Sequence, residues 1–130
     1  MPRIFILFAI GVLFSAQAIA EEEIDCSQNQ LSANSCASFA DAKADKLLNE
    51  HYQQLYNQLT NNNNKKRLVT AQRAWIKFRD ANCLYEAQGS VEKGGSKFTM
   101  EYDQCAERVT KQRTTEIENF LDCTVNGCPE

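Results

Sequence analysis

The sequence predicts an all-α fold: an antiparallel three-helix bundle stapled by disulfides, with an N-terminal arm and a short Cys-containing C-terminal tail. Three observations carry this reading. Apolar residues recur at steps of three and four along three separate stretches. All six cysteines lie beyond residue 20. No stretch of useful length shows the strict alternation of a half-buried strand.

The first twenty residues stand apart from the domain. Arg3 gives a positive start, Ile4 to Phe14 is an almost unbroken apolar run, and Ala18-Ile19-Ala20 is a small-x-small cleavage site. This pattern predicts a secretory signal peptide over 1–20, and the run is too short for a transmembrane helix. Residues 21–130 then form a single domain with its core at about 36–120. Glu23-Ile24-Asp25 before Cys26 does not resemble a lipoprotein signal, so no membrane anchor is expected after cleavage, and the location is periplasmic or secreted.

Removing Arg3 moves the net charge from −3 to −4. An acidic balance argues against nucleic acid and against anionic membrane surfaces, and suits a basic partner. In an exported chain of this size an even number of cysteines predicts a disulfide framework. Zinc is disfavoured, because there is no CxxC and His51 is the single histidine. No metal and no cofactor is implied.

The elements follow in order. Residues 21–34 are polar and aperiodic, and read as an arm held by Cys26, with Asn34 or Ser35 available to cap the first helix. That helix is expected from about Cys36 to Leu59, on a stripe that includes Ala37, Ala44, Leu48, Tyr52 and Leu55. Asn61 to Asn64 end it in a turn. A second helix, Lys65 to about Ala87, carries Leu68, Ala71, Trp75, Phe78 and Asn82 at helical steps and is the expected centre of the core. Trp75, Phe78 and Tyr52 are the expected core anchors, since large rings bury large areas. The short connection folds the two helices into a hairpin that sets Asp45 near Arg79, an interhelical ion pair.

Gln88 to Ser96 is the one Gly-rich segment and lacks phosphate-loop spacing. It is a flexible connection or a binding loop, with Ser90, Lys93, Gly94, Gly95, Ser96 and Lys97 as the partner-facing candidates. A third helix, Phe98 to about Phe120, follows Phe98, Tyr102, Cys105, Val109, Gln112, Glu116 and Phe120, with Ile117 beside the last two. Six cysteines allow fifteen pairings. Folding back about the Gly-rich segment sets Cys83 beside Cys105, Cys123 and Cys128 are close enough for a local bridge, and Cys26 pairs with Cys36 by elimination.

No catalytic constellation is present. His51 lacks a positioned partner, serine and threonine lack a GxSxG context, and the cysteines are assigned to bridges. Asp41 and Asp45 lie one turn apart, but glycosidase carboxylates must flank a cleft. The chain is read as a non-enzyme.

With these residues laid out, the chain resembles the LprI-like lysozyme inhibitor family of exported bacterial proteins. The matching pieces are Cys36; Ala44-Asp45, Leu48-Asn49 and Tyr52; Leu68 and Ala71-Gln72-Arg73-Ala74-Trp75; Phe78-Arg79-Asp80 and Cys83; Gly94-Gly95-Ser96; and Cys105, Thr110 and Arg113-Thr114. The run AQRAWIKFRDANC is the specific part. The resemblance implies a disulfide-bonded helical domain outside the cytoplasm and inhibition of a lysozyme-type glycosidase; the composition and position of the Gly-rich segment make it the candidate to enter the enzyme's cleft. The alternative is a non-catalytic binding module for another envelope protein, with Tyr52 and Tyr56 as its patch.

Overall fold

The computed structural model describes residues 24–92 and 95–127; for 89–92 and 124–126 it describes the helical backbone and not the side chains. The predicted signal segment 1–20, Lys93, Gly94 and Cys128 lie outside the described residues. The chain forms three long helices, α1 (Gln30–Gln58), α2 (Asn62–Glu92) and α3 (Phe98–Asn126), and no strand among the described residues. A 29-residue helix is about 44 Å long, so each runs the length of the molecule. No described helix is long and apolar enough to cross a membrane.

Each helix exceeds its predicted bounds, for a local reason. α1 starts at Gln30 because Asn29 builds a capping box: its Oδ1 accepts from the Ser32 amide (2.9 Å) and Ser32 Oγ accepts from the Asn29 amide (3.1 Å). The expected arm is thus helical from Gln30, and neither Asn34 nor Ser35 is the cap. Asn61 Oδ1 accepts from the amides of Asn63 (2.8 Å) and Asn64 (3.3 Å), so the asparagine run starts α2, whereas α1 has already stopped at Gln58, with Leu59 in an extended conformation. α2 then continues through Gly89 and Ser90, which places both in its last turn rather than in a loop. α3 absorbs most of the expected tail and stops at Gly127, whose φ of 85° only glycine adopts readily.

The middle helix is α3, not α2. α3 packs along both α1 and α2, most extensively on α1, whereas α1 and α2 hardly approach one another. Its burial pattern shows why. A helix covered on one side buries single residues every three or four positions, but α3 buries adjacent pairs: Cys105 and Ala106, Val109 and Thr110, Arg113 and Thr114. The small members of these pairs leave room for a second helix. Leu48 and Leu55 of α1 meet Ile117 and Leu121 of α3 in one apolar cluster, with Leu68 and Trp75 against it. Cys83, Cys105, Ala106 and Val109 form the other, closed by Trp75 and Tyr102. Trp75 joins the two clusters.

The buried face of α2 is turned by one residue from the expected stripe. It runs through Leu68, Gln72, Trp75, Arg79 and Cys83, so Ala71 and Phe78 face solvent. Phe78 is 60 % exposed and is not a core anchor. Polar residues take the inward positions because partners await them: Arg113 Nε donates to Gln72 Oε1 (3.0 Å), and Arg79 Nη1 donates to Asp45 Oδ1 (2.7 Å) and Thr110 Oγ1 (3.3 Å). Tyr52 is half-buried and stacks on Tyr56 with centroids 6.4 Å apart. Phe120 is also largely exposed, with Ile117 and Leu121 buried instead.

Candidate functional site

The chain direction alternates through the three helices, so the start of α1, the end of α2 and the start of α3 share one end of the bundle. The turn after Glu92 lies there. Gly95 adopts φ 76°, a left-handed conformation that reverses the chain, and the Phe98 amide donates to the Gly95 carbonyl (3.1 Å) to open α3. Ser96 and Lys97 are exposed.

This turn is tied on each side. Asn34 Nδ2 donates to the Ser96 carbonyl (3.3 Å), and Gln30 Nε2 reaches Met100 Sδ (3.7 Å), so the first turns of α1 brace it. A Cys26–Cys36 disulfide closes the segment before α1 onto that helix. A Cys83–Cys105 disulfide locks α2 to α3 a few turns away, with Cys83 fully buried. Both expected staples therefore stand at the end that holds the turn. Cys123 sits in the last turn of α3; its expected partner, Cys128, falls outside the described residues.

Behind the turn is a polar layer between the helices. Arg79 bridges Asp45 and its neighbour Asp80, at 2.7 and 2.9 Å. Its guanidinium lies 5.3 Å from the Trp75 ring, and that of Arg113 lies 6.0 Å from the same ring. Ser38 Oγ donates to Asp103 Oδ2, linking α1 to α3. Asp41 has no such partner: its Oδ1 is buried without a hydrogen bond. Burial, and then the carboxylate of Asp45 one turn on, push Asp41 up to about 6. Glu86 is held below the usual carboxylate range by hydrogen bonds from Arg108 and Asn82.

The contacts around Arg79 join all three helices. His51 Nδ1 lies 3.2 Å from Glu118 Oε1, in ion-pair range though outside hydrogen-bond geometry, and well away from the carboxylates around Arg79. Among the described residues no group of His, Cys, Asp or Glu is arranged to hold a metal. Reading the sequence alone missed the ties of Asn34 and Gln30 to the turn. It also missed the Gln72–Arg113 and Ser38–Asp103 contacts, which join residues far apart in the chain. A buried polar position on an otherwise apolar helical face, such as Gln72, was the available signal.

Charge is unevenly placed. The half that carries the turn mixes Asp41, Asp80, Glu86, Glu101, Asp103 and Glu107 with Lys43, Arg79, Lys97, Arg108 and Lys111, and three of those acids are paired with these bases. The first half of α2 holds Lys65, Lys66, Arg67, Arg73 and Lys77 with no acidic residue among them.

No solved structure matches the chain. An uncharacterized protein of Rhizobium meliloti (strain 1021) is 37 % identical over 59 residues, which are 45 % of this chain. The chain spans about two-fifths (41 %) of the length of that relative. The family described as lysozyme inhibitor LprI matches residues 24–117, from before α1 to the last cluster of α3, and takes in both disulfides and the polar layer. On that match the chain belongs to the lysozyme inhibitor LprI family.

Proposed function

We propose that this chain is an exported, non-catalytic inhibitor of a lysozyme-type glycosidase, and that it acts by presenting the turn of residues 93–97 to the enzyme's cleft. The observation that carries the reading is the bracing of the turn. A loop fixed before binding avoids the ordering cost that weakens flexible ligands. Asn34, bonded to the Ser96 carbonyl, and the Cys83–Cys105 bridge between the flanking helices brace the described part of the turn, residues 95–97. Lys97, exposed beside the turn, is the residue placed to approach the paired carboxylates that glycoside hydrolysis requires. The net negative charge of the chain favours encounter with a basic enzyme. The two disulfides fit an oxidising compartment.

The test is peptidoglycan hydrolysis by a basic c-type lysozyme with oxidised protein added at two salt concentrations. Saturable inhibition that weakens with salt is expected; none at high micromolar protein would overturn the inhibitor reading. Replacing residues 93–97 with a short neutral linker should weaken inhibition at least tenfold, and unchanged inhibition would remove the turn from the mechanism. A second reading, a binding module for another envelope protein, draws on Phe78, Leu84 and Tyr85, large exposed side chains of α2 that the turn mechanism leaves unused.

A further inference from the structure

The opposite end of the bundle carries a different chemistry. There the end of α1 and the first turns of α2 enclose a cleft lined by Tyr56, Asn62, Lys65, Lys66, Val69, Thr70 and Arg73. Three of these side chains are cations and none is a carboxylate. Lys65 Nζ lies 4.8 Å from the centroid of the Tyr56 ring, a cation–π contact that holds the ammonium over the cleft without neutralising it. Among the described residues neither Lys66 nor Arg73 has a carboxylate within ion-pair distance; of the acids at this end, Glu116 pairs with Arg113 instead and Glu118 lies beside His51. The Thr70 hydroxyl donates to the Lys66 carbonyl. The remaining donors facing the cleft are therefore the two lysines, the guanidinium of Arg73, the Asn62 amide and the Tyr56 hydroxyl.

A protein of net charge −3 has ample carboxylates with which to neutralise such a cluster, yet it leaves this one unpaired. Three positive charges around one concavity are matched by a dianion better than by a single carboxylate. A guanidinium beside two ammonium groups is the donor set that phosphate oxygens accept from. We propose that the cleft between the end of α1 and the start of α2 is a phosphate-binding site, with Lys65, Lys66 and Arg73 as its cationic ligands. Free phosphate esters and the headgroups of anionic lipids share this chemistry. The site lies a helix length from the turn at 93–97, and its test does not depend on inhibition.

The experiment is a titration of the isotope-labelled oxidised protein with inorganic phosphate, then pyrophosphate, at constant ionic strength, followed by amide chemical shifts. Saturable shifts confined to residues 56 and 62–73, tighter for pyrophosphate, are expected. The Lys66→Gln/Arg73→Gln variant alters exposed side chains and should fold normally. In it the affinity should fall at least tenfold while the amide spectrum elsewhere is unchanged. Absence of saturation, or equal shifts in the variant, would overturn the proposal. Co-sedimentation with phosphatidylglycerol vesicles, against phosphatidylcholine vesicles as reference, separates the sources. Binding that phosphate competes away assigns the site to a lipid headgroup, and phosphate binding without sedimentation assigns it to a soluble phosphate.

Discussion

Asp41 shows how a single side chain sets a pH response. Its carboxyl is raised from the ordinary 3.8 to about 6, by burial first and by Asp45 second. The folded protein therefore binds this proton more tightly than the unfolded chain does. Between about pH 4 and 6 this group's contribution to stability falls as pH rises, the reverse of a salt-bridged carboxylate. The group is partly exposed, so solvent screening limits the effect to ~1 kcal/mol. Asp41→Asn should stabilise the protein by about that amount at pH 7 and by little at pH 4, measured by urea unfolding at both. Comparing variant with parent isolates Asp41 from Glu86, whose lowered pKa contributes in the opposite sense. The Asp45–Arg79 pair gives a second expectation. Arg79 is 15 % exposed but Asp45 is 42 % exposed. A double-mutant cycle should return ~1 kcal/mol of coupling, whereas Arg79→Ala alone should cost ~2 kcal/mol because Thr110 and Asp80 also lose a partner. Phe78→Ala should change stability by less than ~0.5 kcal/mol, against ~3 kcal/mol for the fully buried Ile117→Ala. Equal costs at these two positions would contradict the orientation of α2 and α3.

At the scale of the element, the number of helices, the two disulfides and the turns between the helices were legible in the sequence, and the faces were only partly so. The stripe of α1 could be read because Ala37, Ala44, Leu48 and Leu55 are apolar and face a single neighbour. That of α2 was misread by one residue because Gln72 and Arg79 point inward toward partners on other helices, which periodicity cannot see. α3 was misread after Val109 for the complementary reason: it is covered on two sides, so no single stripe describes it. The first turns of α1 escaped because the capping residue, Asn29, precedes a polar stretch, and a cap is recognised most readily before an apolar one. The turn was legible as a Gly-rich segment. Its bracing by Asn34 was not, since that hydrogen bond joins residues 62 positions apart. The disulfide between α2 and α3 also belongs to this scale. Its closed loop spans 22 residues, and replacing Cys83 and Cys105 by alanine should lower unfolding free energy by about 3 kcal/mol while leaving most helical signal in place. Thermal unfolding by circular dichroism measures both. A variant as stable as the parent would show that apolar packing alone holds α2 to α3.

At the scale of the whole molecule, order in the chain and order in space differ. The helix in the middle of the bundle is the last of the three described helices. While a polypeptide emerges from its amino end, α1 and α2 come first, and neither is the other's principal partner. Leu48 and Leu55 wait for Ile117 and Leu121, and Cys83 waits for Cys105. The native apolar clusters cannot close until α3 has been made, so α1 and α2 emerge without the helix that both pack against. Such a chain remains threadable until α3 arrives, and its second disulfide records the moment at which it stops being so.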